Sequence, residues 1–165
     1  VVGWVIDQLV REKKLVRLNQ MVAVASEDNV LSKKQLAKMN QIIRLYDGAR
    51  TPPTIKEVAE KMETKLDSIA SLVRFATQQR VLIDVGGGFL LSTEMFRQLC
   101  LELRQMFDEQ PEHSVAEIRD RWQVTRKHAI PFLEYCDRVG ATTRKDNARV
   151  AGPKLAELLS EQTVE

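Results

Sequence analysis

An internal repeat limits what this 165-residue chain can fold into more than any other feature of its sequence. Three segments, KKLVRLNQMVAVAS from Lys13, RVLIDVGGGFLLST from Arg80 and VGATTRKDNARVAGP from Val139, each read as a short hairpin placed directly after an amphipathic helix. The apolar faces of those helices are Val5, Ile6 and Leu9, then Ile69, Val73 and Ala76, then Phe132, Leu133 and Cys136. Leu15, Val81 and Ala141 occupy equivalent places, a spacing of about 60 to 66 residues. That is the length of one small helix-turn-helix domain carrying a hairpin, and too long for a solenoid repeat.

Each unit is therefore predicted to be a winged helix, and the chain to be mainly α with small β-hairpins, built from tandem winged-helix units. Residues 1–28 supply only the last helix and wing of a first unit, so the chain reads as an excised part of a longer protein. Residues 29–91 form a complete unit. In it Ser32 and Gln35 make a capping box, and Leu36, Met39, Ile43 and Tyr46 line one helical stripe. A Thr51-Pro52-Pro53 connection, the helices to about Met62 and from Leu66 to Gln79, and a wing around Gly86, Gly87 and Gly88 complete it. Residues 92–153 form the last unit, with a first helix to about Glu109, Gln110 to His113 as its connection, and residues 154–165 as a tail.

In the last unit, Ser114 and Glu117 form a second capping box and Gln123 with Val124 the turn. Gly140 ends the second helix, and Lys145, Asp146 and Asn147 join two strands. Pro131 leaves the start of that helix open between Arg126 and His128, because proline withholds an N–H from the helix interior. Basic side chains gather at two places, Arg126, Lys127 and His128 at the helix start, and Arg144, Lys145 and Arg149 on the wing. From Ser114 to Val150 there are eight basic and five acidic residues, against five and five from Thr51 to Leu91. Charge thus assigns polyanion binding to the last unit and the role of a spacer or packing partner to the middle one. Asn147 is read first as turn chemistry and His128 first as structural, with base contact second for both. Lys33, Lys34 and Lys38 give the middle unit a basic helix face, read first as solvated, with a secondary RNA or ribosome contact as the alternative.

Other classes of function find little support. The triple glycine lies between two strands, without the lysine-serine or lysine-threonine pair of a phosphate loop. No nucleophile, base and orienting group fall together and no ligand cluster suits a metal, so neither catalysis nor a cofactor is expected of these residues. Cys100 and Cys136 sit at inward helical positions and read as small buried hydrophobes of a reducing compartment. No run of residues approaches a membrane span, which together with the cysteines predicts a cytoplasmic protein.

The segment SVAEIRDRWQVTRKHAIPFLEYCDRVGATTR resembles the final winged helix of bacterial selenocysteine-specific elongation factors. The shared pattern falls on Arg126, Lys127, Ala129, Pro131, Leu133, Glu134, Asp137 and Gly140, followed by a basic wing at Arg144, Lys145 and Arg149. The resemblance is dense over about 40 residues. It implies a non-enzymatic, monomeric piece that binds the messenger RNA hairpin directing selenocysteine insertion at UGA codons. Arg126, Lys127, His128, Arg144, Lys145, Asn147 and Arg149 would be the RNA-binding residues. GTP and magnesium, selenocysteyl-tRNA and the ribosome are implied as cofactors and partners of the full-length factor only. A winged-helix DNA-binding regulator and a protein-binding scaffold are the competing readings. The first would place longer polar side chains along the recognition helix, and the second needs no basic wing.

Overall fold

A computed structural model describes residues 31–160 in full, and of the preceding residues only the strands β1 (Leu15–Leu18) and β2 (Met21–Val24). These two strands pair antiparallel with Leu15 opposite Val24, a hairpin where the first repeat copy places one. The helix expected before it, and the last five residues of the tail, lie outside the described residues. No described helix is long and apolar enough to cross a membrane.

The chain divides into two compact units. Residues 1–45 and 55–82 make the first, residues 46–54 and 83–165 the second. The packing thus cuts the chain differently from the repeat, because the wing that follows the middle helices clusters with the last unit.

In the first unit, α1 (Lys33–Tyr46) begins at the predicted capping box. The Ser32 N–H donates to Gln35 Oε1 at 2.9 Å, and the Gln35 N–H donates to Ser32 Oγ at 3.2 Å. Met39, Ile42 and Ile43 of α1 are buried. So are Val58 and Ala59 of α2 (Ile55–Lys61) and Ile69, Leu72, Val73, Phe75 and Ala76 of α3 (Leu66–Gln78). Recurrence at three and four residues puts these side chains on one face of each helix, which is where removal from water stabilises the unit.

The second unit holds the hairpin β3 (Leu82–Gly86) and β4 (Phe89–Ser92), apart from Leu82 itself. Ser92 then caps α4 (Thr93–Glu109) by accepting the Met95 N–H at 3.1 Å. Next come β5 (Glu112–Ser114), α5 (Val115–Trp122), α6 (Arg126–Val139), β6 (Thr142–Lys145), β7 (Ala148–Ala151) and α7 (Leu155–Ser160). The core runs through Leu99, Leu103, Ile118, Trp122, Phe132, Leu133 and Leu155. Trp122 is fully buried and donates its indole N–H to the Leu99 carbonyl at 3.2 Å, so it is core. Cys100 and Cys136 are buried free thiols. The Cys100 side chain beside Cys136, together with burial, pushes the Cys136 thiol well above its usual range, which keeps it protonated and inert.

β5 corrects the sequence reading. Glu112 and His113 were expected in a plain connection; instead they and Ser114 pair antiparallel with β7 in the register Glu112↔Val150, His113↔Arg149 and Ser114↔Ala148. The wing is consequently a three-stranded sheet of order β5-β7-β6, with β7 in the middle. His113 anchors β5: its Nε2 lies 2.8 Å from the Met106 carbonyl. A carbonyl only accepts, so that nitrogen carries the proton.

Candidate nucleic-acid interface

The N-terminal turn of α6 is open to a ligand. Thr125 is its N-cap residue, but the Thr125 hydroxyl is hydrogen-bonded to His128 Nδ1 at 2.8 Å and caps no backbone N–H. The helical bonds begin with the His128 and Ala129 N–H groups, both to the Thr125 carbonyl. The Arg126 and Lys127 N–H groups come one turn too early for an intrahelical acceptor. No acid stands in this turn, which carries Arg126 and Lys127 against the positive end of the helix dipole. The helix starts at Arg126, which settles the question left by Pro131. Proline withholds the bond to the Lys127 carbonyl and the helix continues to Gly140, whose φ of 81° closes it.

A groove of about 480 Å³ lies between this turn, the start of α5 and the wing. Arg126, Ile130 and Glu134, spaced by four along α6, form one wall, and Arg144, Asp146 and Asn147 of the wing the other. Ser114 to Ala116 and Arg119 of α5 close the end. Arg126 and Arg144 are exposed. Neither has an ion pair among the described residues, and the Arg144 guanidinium is steadied by Nε donating to the Asp146 carbonyl at 3.3 Å. Arg119 was not singled out in the sequence. It belongs to the groove because α5 runs beside α6, and it pairs with exposed Asp120 at 2.7 Å. The start of α5 is pinned as predicted. The Glu117 carboxylate accepts the Ser114 N–H at 2.7 Å and its hydroxyl at 2.8 Å, and these bonds hold Glu117 below the usual carboxylate range.

Of the remaining predicted site residues, Arg149 also lines the groove, whereas Lys127, His128 and Lys145 do not. Arg149 is 6% exposed, and its guanidinium chelates Asp137, so it braces the groove wall instead of offering a charge. Its place on the central strand explains this: the register sets Arg144 and Arg149 opposite each other on one face, with Arg144 on the edge strand and Arg149 covered from both sides. Lys145, next to Arg144, points to the other face, where its ammonium is paired with Glu112 of β5. His128 is buried between Phe89 and Phe132, with ring centroids 4.7 Å and 6.0 Å away. Lys127 is exposed but lies over the Phe89 ring, on a different face of α6 from the groove.

In the first unit, Lys34 and Lys38 line a separate groove with Arg74, and Lys38 donates to Thr64 Oγ1 at 3.1 Å. Among the described residues, no group of three or more His, Cys, Asp or Glu side chains could hold a metal ion.

Residues 105–151, from the end of α4 to the end of the wing, match the family model described as "Elongation factor SelB, winged helix". The selenocysteine-specific elongation factor of Desulfomicrobium baculatum is 27% identical over 143 residues, which are 86% of this chain and 22% of that protein. That of Escherichia coli (strain K12) is 28% identical over 96 residues, 58% of this chain and 16% of that protein. The chain therefore spans less than a quarter of the length of the curated relatives it matches. Among solved structures, the mRNA-binding domain of elongation factor SelB from E. coli in complex with SECIS RNA superposes with a TM-score of 0.66 at 25% identity. The likeness covers 74% of this chain and 99% of that one. The chain is thus similar to the C-terminal winged-helix region of SelB factors, and the expected tandem winged-helix fold is the fold found.

Proposed function

We propose that this chain binds the messenger RNA hairpin that directs selenocysteine insertion, through the groove between α6 and the wing. The observation that carries the proposal is the meeting of Arg126 at an uncapped helix start with Arg144 and Asn147 on the wing. Backbone N–H groups, helix dipole and two guanidinium groups converge there on a space open to an anion. Arginine suits an RNA loop because its planar fork donates in pairs to phosphate and also stacks on an unpaired base. The likeness to a SelB domain in complex with SECIS RNA supports the same reading. An A-form stem hides its major groove, so Asn147 would meet a loop base while Arg126, Arg144 and Arg119 hold phosphates.

Arg149 and His128 act in this scheme as braces, and Lys145 lies on the far face of the wing. In the factor to which such a chain contributes, GTP with magnesium, selenocysteyl-tRNA and the ribosome would engage other residues, and hairpin binding by this chain would tether them to selenoprotein messages in the cytoplasm. The residues from 105 to 151 would take no chemical step. A DNA-reading role is less well supported, because the groove wall of α6 presents Ile130 between Arg126 and Glu134, a poor set of donors for a major groove.

Fluorescence anisotropy of the chain against a SECIS hairpin, a loop-scrambled hairpin of equal length and a DNA duplex, each across a salt series, tests this. Selective binding to the intact loop is expected, with a log–log salt slope of about −2.1 to −3.6 for three or four phosphate contacts. Equal, weak binding to all three would overturn it.

A further inference from the structure

The triple glycine of the β3–β4 hairpin is a motif that the groove leaves without a role. Its tip lies against α6. A Cβ on Gly87 would come within 3.0 Å of Pro131 Cγ and 3.4 Å of Pro131 Cβ, and one on Gly86 would lie 3.8 Å from an Arg138 guanidinium nitrogen. All three glycines have positive φ, but Gly87 is also required by this close approach. Two residues further, the buried Phe89 ring lies 4.7 Å from that of His128, and the Lys127 ammonium stands 5.4 Å from its centroid. Lys127, Pro131 and Arg138 follow one another at intervals of four and seven, so they form one stripe of α6. Arg126, Ile130 and Glu134 form the neighbouring stripe that faces the wing. The start of α6 is thereby held between two hairpins, β6–β7 on one side and β3–β4 on the other.

We propose that Phe89 is a positioning residue of the RNA interface, holding the Lys127 ammonium in place as a phosphate contact on the side of α6 away from the wing. The inference rests on the RNA-binding reading. A free lysine side chain samples many rotamers and loses that freedom on meeting a phosphate. An aromatic face attracts the ammonium without offering it a hydrogen-bond acceptor, so the group is pre-placed while its donors remain available. The same ring packs on His128, whose Nδ1 is bonded to the Thr125 hydroxyl.

The test uses the whole chain, a SECIS hairpin RNA over a salt series, and thermal melts of each variant. Phe89→Leu, which keeps an apolar side chain and removes the ring, is expected to weaken binding about 3- to 10-fold and to reduce the salt slope by about 0.7 to 0.9. Phe89→Tyr restores both. In a Lys127→Gln background, Phe89→Leu has no further effect on affinity. A Phe89→Leu protein that melts earlier but binds with unchanged affinity and slope would show that Phe89 is core and nothing more. Lys127→Gln with an unchanged slope overturns the proposal whatever the stability of the Phe89 variants. Failure of the unaltered chain to distinguish an intact from a scrambled loop removes the RNA reading itself, and is seen before any variant is made.

Discussion

Arg149 Nε lies 3.0 Å from both carboxylate oxygens of Asp137, and a terminal nitrogen of the same guanidinium lies 2.9 Å from Oδ2. The Thr142 hydroxyl donates to Asp137 Oδ1 at 2.6 Å, so one carboxylate near the end of α6 ties down both strands of the hairpin, β6 and β7. Breaking a pair this well enclosed leaves an uncompensated charge behind. Asp137→Asn is therefore expected to cost about 2 to 3 kcal/mol, toward the lower end for buried pairs because Asp137 is partly exposed. Arg149→Lys retains the charge and loses the paired geometry. It should lower both the melting temperature and RNA affinity, whereas a simple phosphate contact at Arg149 would leave the melting temperature unchanged under the same substitution.

Arg126 and Arg144 should behave in the opposite way. Both are exposed groove residues, so Arg126→Gln and Arg144→Gln are expected to leave the melting temperature within about 1 °C, the effect of a surface change of a few tenths of a kcal/mol. Each should weaken hairpin binding roughly tenfold, as loss of a charge-assisted pair does, and take about 0.7 to 0.9 from the salt slope. A Lys145→Gln variant serves as the comparison, since that ammonium is paired with Glu112 on the other face of the wing. An equal loss at Lys145 would show that the RNA lies across the sheet and not in the groove.

Arg50 makes a second enclosed pair. From the segment between α1 and α2 it reaches Glu102 of α4 at 2.5 Å and 3.0 Å, and donates to the Trp122 carbonyl at 3.0 Å. Burial pushes the Glu102 carboxyl up. Hydrogen bonds from Arg50 and Gln98, with the charges of Arg50 and Arg121, outweigh that and hold it below the ordinary range. A depressed folded-state pKa means that the stabilisation is complete above the unfolded value, about 4.3, and is lost as pH falls through the lower folded value. Arg50→Met should cost about 2 kcal/mol at neutral pH, with allowance for the partial exposure of Arg50. Below about pH 4 the gap between variant and parent should narrow. Urea melts at pH 7 and pH 3.5 measure both quantities, and a gap that widens on acidification contradicts the assignment.

The helices and caps of the second unit were legible in the sequence because their causes are local. The Ser114–Glu117 capping box, the Gln123 turn with its φ of 56° and the Gly140 stop each lie within four residues of what they control. β5 was not legible, since Glu112, His113 and Ser114 have no strand pattern and become a strand only by pairing with β7. That omission changes the surroundings of one predicted site residue. With two strands, Arg144 and Arg149 both look exposed. With a third strand beside β7, Arg149 is enclosed and Asp137, twelve residues away, becomes its partner. Strand alternation alone does warn that Arg144 and Lys145 cannot face the same way. The packing of the β3–β4 tip on Pro131 had no counterpart in the sequence, where the three glycines signify only a turn.

Two glycines separate steric need from conformational need. Gly152 has ordinary backbone angles, but a Cβ there would overlap the Gly140 carbonyl oxygen and stand 2.7 Å from the carbonyl carbons of Gly140 and Ala141. Its N–H donates to the Ala141 carbonyl at 2.9 Å, and two residues on, the Lys154 N–H donates to the Gly140 carbonyl at 2.9 Å. The end of β7 is thus laced to the end of α6 by backbone alone, with no flexible side chain to move aside. Gly152→Ala should cost about 3 kcal/mol or more, in the range of severe overpacking. Gly88 has a φ of +80° and a Cβ there would meet nothing within 4 Å, so Gly88→Ala bears only the left-handed penalty, about 1 to 2 kcal/mol. Thermal melts of the two variants should therefore rank Gly152→Ala well below Gly88→Ala. The reverse order would mean that the α6–β7 junction yields more easily than its backbone contacts imply, and that Asp137 with Arg149 carries the wing almost alone.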